Sequence, residues 1–432
     1  MIEGYPKVLI ISHNIFEETN NIGKTLISLF YGWPSDKICQ IYLRSEKPTF
    51  KYCDNYYRIT DREMLKSYYK GKKVVGTAFE KSDTLELVEG KKADEVDDQK
   101  FYNLGNKRIP LISLFRDLLW KNKAWKNDTL KEWLNNQHPD VVLFVPNDYE
   151  LIFPIASFAS EYLNVPLIPY IMDDAFYFNV FVSPVDYLRR LSIRKKGKKL
   201  INQASNIITI GPKMSKAYAD YFKKPCIELM NSVKTNDQLV QKEVNVDEKF
   251  CICYVGNLHS NRWKTILKIG KAIDNSCEDI IIDIFTGSTL TKRMINDFLK
   301  VKCINLRGKI SPQEVPATLK ASDALLFVES FDKKSAASTA YSLSTKIPEY
   351  LNSFRPIIAI GPANISSIEY LKENNLAIVC DDLKNINNCL TELKNSSSWY
   401  DCNYIHKFIM ENHDIDKNRE KMKNIIFEKV QR

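Results

Sequence analysis

Two stretches place charged side chains beside apolar runs, where a loop could hold a ligand. In "YVGNLHSNRWKTILKIGKAI", Gly256 and Asn257 follow a strand-like run, and Arg262 and Lys264 stand where a helical pattern begins. A helix start offers N–H groups and partial positive charge, both suited to phosphate. Cations in that first turn oppose the dipole and are slightly unfavourable unless an anion joins them. In "STKIPEYLNSFRPIIAIGP", Ser344 or Thr345 can cap a helix starting near Lys346, which leaves an ammonium close to open N–H groups. Glu349 lies one turn deeper, within reach of a pair of ribose hydroxyls. The same spacing suits a capping box, so on spacing alone both readings stand.

Two further stretches are less specific. Asp173 and Asp174 close the apolar run "PYIMDDAF" and could act as a general base, hold hydroxyls, or cap a turn. Gly23, Lys24 and Thr25 imitate a P-loop, but Glu18 stands where G-x-x-x-x-G-K-[ST] requires its first glycine. A loop approaching a ligand, or an ordinary helix start, fits better than an NTPase.

The elements that must position these residues alternate. "KVLIIS", "KICQIYL", "DVVLFVP", "PLIPYIMDD" and "NIITIGP" read as buried parallel strands, with "GKTLISLFYGW" and "PIASFASEYL" as helices between them. Residues 80–107 are polar and without period, an exposed excursion. A second series follows in "FCICYVGNL", "DIIIDIFTG", "KCINLRGKI", "DALLFVE", "PIIAIGP" and "LAIVCDD", again with helices between. This predicts an α/β fold of two doubly wound domains, residues 1–235 and 250–404. Residues 236–249 form the linker between them. A C-terminal helix, about 405–432, is placed to pack back on the first domain.

The chain has 432 residues, 44% hydrophobic and 27% charged, as in soluble globular proteins. No apolar stretch approaches the length of a bilayer span, and "MIEGYPKVLI" starts a strand instead of a signal peptide. A cytoplasmic location is therefore expected. The ten cysteines are scattered and read as reduced core thiols; Cys251 and Cys253 share a strand face without the further ligands zinc needs. The net charge of +9 suits nucleic acid, an anionic membrane or a phosphorylated substrate, but no nucleic-acid-binding module is present.

With "YVGNL…NRWKT", "TKIPEYL…RPIIAIGP" and "NNIGKTL" in this order, the chain resembles the GT-B-fold glycosyltransferases, nearest their retaining family 4 type. The resemblance implies two Rossmann-like domains facing a central cleft, the C-terminal one binding a nucleotide-sugar and the N-terminal one the acceptor. It implies that Arg262 and Lys264 meet the donor diphosphate above a Gly256–Asn257 loop. Glu349 would hold the ribose, and Ser344, Thr345 and Lys346 would lie against phosphate or sugar. Gly23 would face the diphosphate across the cleft. His13 matches a loop that touches donor or acceptor, and Asp173 is a candidate at the acceptor. Many members carry a second glutamate eight positions before the ribose-binding one; here that position is Tyr341. Glu329, ending "DALLFVE", could substitute at the donor sugar.

The family mechanism implies a donor of the UDP rather than the GDP type as co-substrate, no other cofactor, no metal, and retention of configuration. Fixed cations and N–H groups then stabilise the departing diphosphate. A GT-B-fold nucleotide-sugar epimerase would need several carboxylates and histidines in the cleft, whereas the chain has five histidines in all. A non-catalytic relative is a third reading, which Tyr341 keeps open and Lys264, Lys346 and Glu349 oppose.

Two stretches could touch a membrane. Residues 109–126 carry Leu111, Leu114, Phe115, Leu118 and Leu119 at helical spacing, then lysines and two tryptophans. Residues 186–200 concentrate Arg189, Arg190, Arg194, Lys195, Lys196, Lys198 and Lys199. Together they could hold the protein at the inner face of the cell membrane beside a lipid-linked acceptor. A core-packed helix and a solvated basic segment would look the same in sequence.

Overall fold

The structure, a computed structural model, describes residues 4–18, 21–69, 75–82, 110–204, 206–235, 249–276, 279–395 and 400–430. It divides into two compact units: Met1–Met230 with Ile415–Arg432, and Asn231–Asp414.

Unit 1 is built on an eight-stranded sheet. Its strands are β1 (Val8–Ser12), β2 (Ile38–Tyr42), β3 (Asn55–Arg58), β4 (Thr77–Glu80), β5 (Val141–Phe144), β6 (Leu167–Ile171), β7 (Ile207–Thr209) and β8 (Cys226–Glu228), in the order β4-β3-β2-β1-β5-β6-β7-β8. All pairs are parallel except β3–β4. β1, β2, β5 and β6 are buried along their whole length, which is why they read as unbroken apolar runs. β3, β4 and β8 were not evident in the sequence, because "NYYR", "TAFE" and "CIE" are short and mixed. Of the excursion over 80–107, only its first three residues are described.

Helix α1 (Asn21–Leu29) buries Leu26 and Leu29. Helix α2 (Pro110–Leu119) packs on α3 (Pro184–Ile201). The start of α3 is set by Pro184 in its first turn and by Ser183, whose Oγ accepts the Asp186 N–H at 3.1 Å.

Unit 2 carries β9 (Phe250–Val255), β10 (Ile280–Phe285), β11 (Ile304–Gly308), β12 (Ala324–Val328), β13 (Ile357–Ile360) and β14 (Ile378–Cys380) in the all-parallel order β11-β10-β9-β12-β13-β14. Ile252, Ile282, Ile284, Leu326, Ile358 and Ile360 form the centre of its core. Helix α4 (Arg262–Ser276) follows β9, and the six-residue α5 (Lys346–Leu351) precedes β13.

The last helix, α6 (Ile415–Val430), returns to unit 1 and packs on α1 and β5. The chain therefore leaves unit 1 after Met230 and re-enters it at Ile415. In unit 2 these two passages run side by side. Val233 N donates to His413 O at 2.9 Å, and the buried His413 ring places Nδ1 2.7 Å from Asn231 O. In unit 1, Asn418 donates to Met230 O at 3.0 Å. Residues 236–248 of the expected linker lie outside the described residues. Among the described residues no helix is long and apolar enough to cross a membrane.

Candidate functional site

Strand order reverses once in each sheet, between β9 and β12 in unit 2 and between β1 and β5 in unit 1. Ligands of open α/β sheets bind beyond the strand ends at such points.

In unit 2 the seam opens early. β12 pairs with β9 only at Ala324–Ile252 and Leu325–Cys253, whereas β9 and β10 match over six residues. Tyr350 fills the gap: its hydroxyl accepts the Val255 N–H at 3.2 Å and lies 3.3 Å from Val255 O and 3.4 Å from Leu326 O. A backbone donor that lost its ladder partner is thereby satisfied.

Arg262 turns inward from the first turn of α4. Its NH2 group donates to both carboxylate oxygens of Glu329 at 3.1 and 3.0 Å. Nε reaches Val328 O at 3.2 Å and NH1 reaches Asn257 Oδ1 at 3.1 Å. The side chain of Arg262 is 16% exposed and that of Glu329 5%. Burial alone would lower the guanidinium's pKa; Glu329 and Tyr254 outweigh it and raise it. Arg262 thus forms a planar, fixed positive group at the end of β12, which the helical spacing did not reveal. Glu329, bonded to Arg262 through both carboxylate oxygens, is committed to this pair.

Lys346 lies over the loop after β9. Its ammonium is 4.4 Å from the Tyr254 ring centre and 3.4 Å from the Tyr254 hydroxyl, which in turn donates to Asn257 O at 2.5 Å. Gly256 has φ +150°, and a Cβ there would run into the end of Lys346, so glycine is what lets this cation descend onto the backbone. Leu258 N donates to Ser288 Oγ at 2.9 Å. Ser260 and Asn261 both take left-handed backbone (φ 56° and 60°), a strained pair immediately before α4. Lys264 is exposed on the outer side of α4's first turn, 5.7 Å from the Trp263 ring centre.

The capping expected of α5 is only partly present. Thr345 makes no side-chain cap bond, and Ser344 Oγ accepts the Lys346 N–H at a long 3.4 Å. Glu349 is half-buried on the first turn, and Tyr341 is half-buried ahead of it. The fold thus brings Gly256, Asn257, Arg262, Glu329 and Lys346 together around one seam. Tyr254 and Tyr350 complete it; in the sequence nothing separates them from core aromatics.

Unit 1 places its candidates differently. His13, after β1, stacks on Tyr149, after β5, with centroids 5.0 Å apart and planes at 29°. The Arg116 guanidinium lies 4.2 Å from the centre of the Tyr149 ring. Burial first, then Arg116 and Arg44, hold the His13 pKa well below the usual imidazole value, so the ring is neutral at pH 7. His13 Nδ1 is buried without a hydrogen-bond partner among the described residues. Asp173 is exposed beyond β6. Its neighbour Asp174 serves a turn, its Oδ1 accepting from Phe176 N, Tyr177 N and the Tyr218 hydroxyl at 3.0, 2.8 and 2.6 Å. Gly23 is required locally: a Cβ would sit 2.7 Å from Glu17 N and 2.9 Å from Ile15 O. Among the described residues no three His, Cys, Asp or Glu side chains gather as a metal site.

Solved structures share this architecture. Trehalose-6-phosphate synthase from Burkholderia multivorans superposes with a TM-score of 0.59 at 9% identity, covering 98% of each chain. The lipopolysaccharide outer core galactosyltransferase WaaB, in its apo form, gives 0.58 at 13% identity, covering 96% of this chain and 98% of its own. A trehalose-6-phosphate protein from E. coli bound with UDP-2-fluoro glucose gives 0.58 at 8% identity, covering 97% and 98%. The fold is GT-B. At these identities the likeness concerns the GT-B fold alone. No known sequence family and no curated protein matches the chain.

Proposed function

We propose that this protein is a glycosyltransferase that moves a sugar from a nucleotide-diphosphate-sugar, of the UDP type, to a saccharide or lipid-linked acceptor. The observation that carries the reading is the opened β9–β12 seam, with Lys346 resting on Gly256 and Arg262 fixed by Glu329 at its rim. Structures with the same GT-B fold include the galactosyltransferase and the UDP-2-fluoro glucose complex described above.

In this reading the bond between the anomeric carbon and the phosphate oxygen breaks, and negative charge grows on the departing diphosphate. Lys346 and Arg262 face that charge in positions already paid for in folding, and one such preorganised donor is worth about 3–4 kcal/mol. Lys264 serves the outer phosphate, and Glu349 receives the ribose hydroxyls. The acceptor hydroxyl attacks from the face the diphosphate leaves, and its proton passes to the leaving phosphate, giving retention without a metal. Neutral His13, on its Tyr149 shelf, suits hydrogen bonding to a sugar hydroxyl. Polysaccharide or glycoconjugate synthesis in the cytoplasm is the matching setting.

Calorimetric titration with UDP and GDP tests this. UDP should bind, and Lys346→Ala and Glu349→Ala should each weaken it by about tenfold, the size of one lost charged hydrogen bond. If neither nucleotide binds, or both variants bind like wild type, the donor site is misassigned.

A further inference from the structure

Helix α2 and the first half of helix α3 in unit 1 turn charged side chains inward and apolar ones outward. On α2 the charged residues Arg116 and Asp117 are buried, while Leu111 and Phe115 are 67% and 58% exposed, with Leu118 beside them. On α3 Asp186 and Arg189 are buried, while Tyr187, Leu188 and Leu191 are exposed, Leu188 to 66%. The inward charges are paired: Arg189 with Asp117 at 2.8 Å between the two helices, Arg116 with Asp61 at 2.8 Å, and Arg190 with Asp186 at 2.7 Å. Leu111, Phe115 and Leu118 fall at i, i+4 and i+7, one stripe of α2. Two adjoining helices that hide charge and show apolar side chains mark an interaction surface.

The surrounding charge says what covers it. Residues 110–126 and 181–200 contain two acids, Asp117 and Asp186, and both are buried in ion pairs. Lys121, Lys123, Lys126, Lys195, Lys198 and Lys199 are all exposed. Within these two segments the exposed charge is thus wholly positive; the exposed Glu161 of a neighbouring helix shares a hollow with Lys196 and Lys199. A second copy of the chain, meeting this face by two-fold symmetry, would set cations against cations.

We propose that the α2–α3 face docks on an anionic lipid surface, with the leucines and aromatics entering the headgroup–acyl boundary and the lysines at the lipid phosphates. This corrects the sequence-based assignment in its residues. Arg189 is unavailable to lipid because it is buried against Asp117, and Trp120 and Trp125 belong to the core, as does Leu119. The docking elements are the outward stripe of α2, the exposed side of α3 and the lysines around them.

The test is co-sedimentation of the full chain with vesicles of phosphatidylglycerol and phosphatidylcholine (equal parts) and of phosphatidylcholine alone. Wild type should bind the anionic vesicles and leave the neutral ones. The variant Leu111→Ser/Phe115→Ser/Leu188→Ser should lower the partition about tenfold or more, and Lys195→Gln/Lys198→Gln/Lys199→Gln about a hundredfold. Both variants should keep the wild-type circular dichroism and thermal unfolding midpoint, which shows that they fold. Absence of wild-type binding to anionic vesicles, or wild-type binding by both variants, overturns the proposal. So does light scattering that shows a wild-type dimer made monomeric by the serine variant, since the face would then be a contact between copies. The vesicle assay needs no donor, so a failed UDP titration would sink the transferase reading and leave this one standing.

Discussion

The two points of strand reversal solve one problem in opposite ways. In unit 2, β9 and β12 part after two matched pairs, and the opening is filled by polar groups: the Tyr350 hydroxyl, the Arg262–Glu329 pair and the Lys346 ammonium. In unit 1, β1 and β5 stay matched over four pairs, Val145 N extends the ladder to Ile11 O at 2.9 Å, and the loops beyond meet as an aromatic stack. One seam is open and lined with fixed charge. The other is closed and capped by rings. An early end to the ladder creates room for an anion, but each freed backbone group and each buried charge must then find a partner.

The largest test removes such a partner. Glu329→Ala strands the Arg262 guanidinium at the open seam, and a buried pair broken on one side costs about 3–5 kcal/mol. Amide exchange of β9 and β12 should speed up accordingly, while β1 and β5 keep their protection. Equal loosening of both sheets would show that the pair is not what holds this seam.

The closed side has its own buried pair, and its behaviour with pH is distinctive. Burial raises the Asp117 carboxyl to about 6 despite Arg189. The folded state therefore holds the proton more tightly than the unfolded chain, and this contribution to stability, full below about 4, is lost as pH rises through about 6. Relative to Asp117→Asn, wild type should lose about 2–3 kcal/mol between pH 4 and pH 7 in urea unfolding. A difference that stays flat would mean Arg189 offsets burial completely.

A smaller effect is expected at the loop of the open seam. Gly256→Ala forces a side chain into backbone at φ +150° and against Lys346, for a loss of about 1–3 kcal/mol. UDP affinity should fall with it, since the ammonium is displaced. Unchanged affinity would separate Lys346 from the donor site.

Much of this architecture was legible in the residues. Runs such as "VLIIS" and "ALLFV" announce parallel strands because both of their faces are covered. That Gly256, Arg262, Glu329 and Lys346 belong together was implied by the family resemblance and not by any spacing between them. What remained hidden was direction. Helical spacing found the apolar stripe of α2 but not which way it faces, because Arg116 and Asp117 are drawn inward by Asp61 and Arg189, 55 and 72 positions away. Arg262 was hidden for the same reason: its partner Glu329 lies 67 positions downstream. Pairs this remote leave no local pattern.

The path of the chain carries a consequence for how the molecule can be taken apart. Unit 2 is a guest spliced into unit 1, and its entry and exit at Asn231 and Asp414 are neighbours, with Val233 paired to Asp414. A single cut after Met230 yields no intact half, because it strips α6 from α1 and β5. Excising Asn231–Asp414 and rejoining Met230 to Ile415 through a short turn would instead leave the host whole, and new termini or a fused domain belong at this same junction.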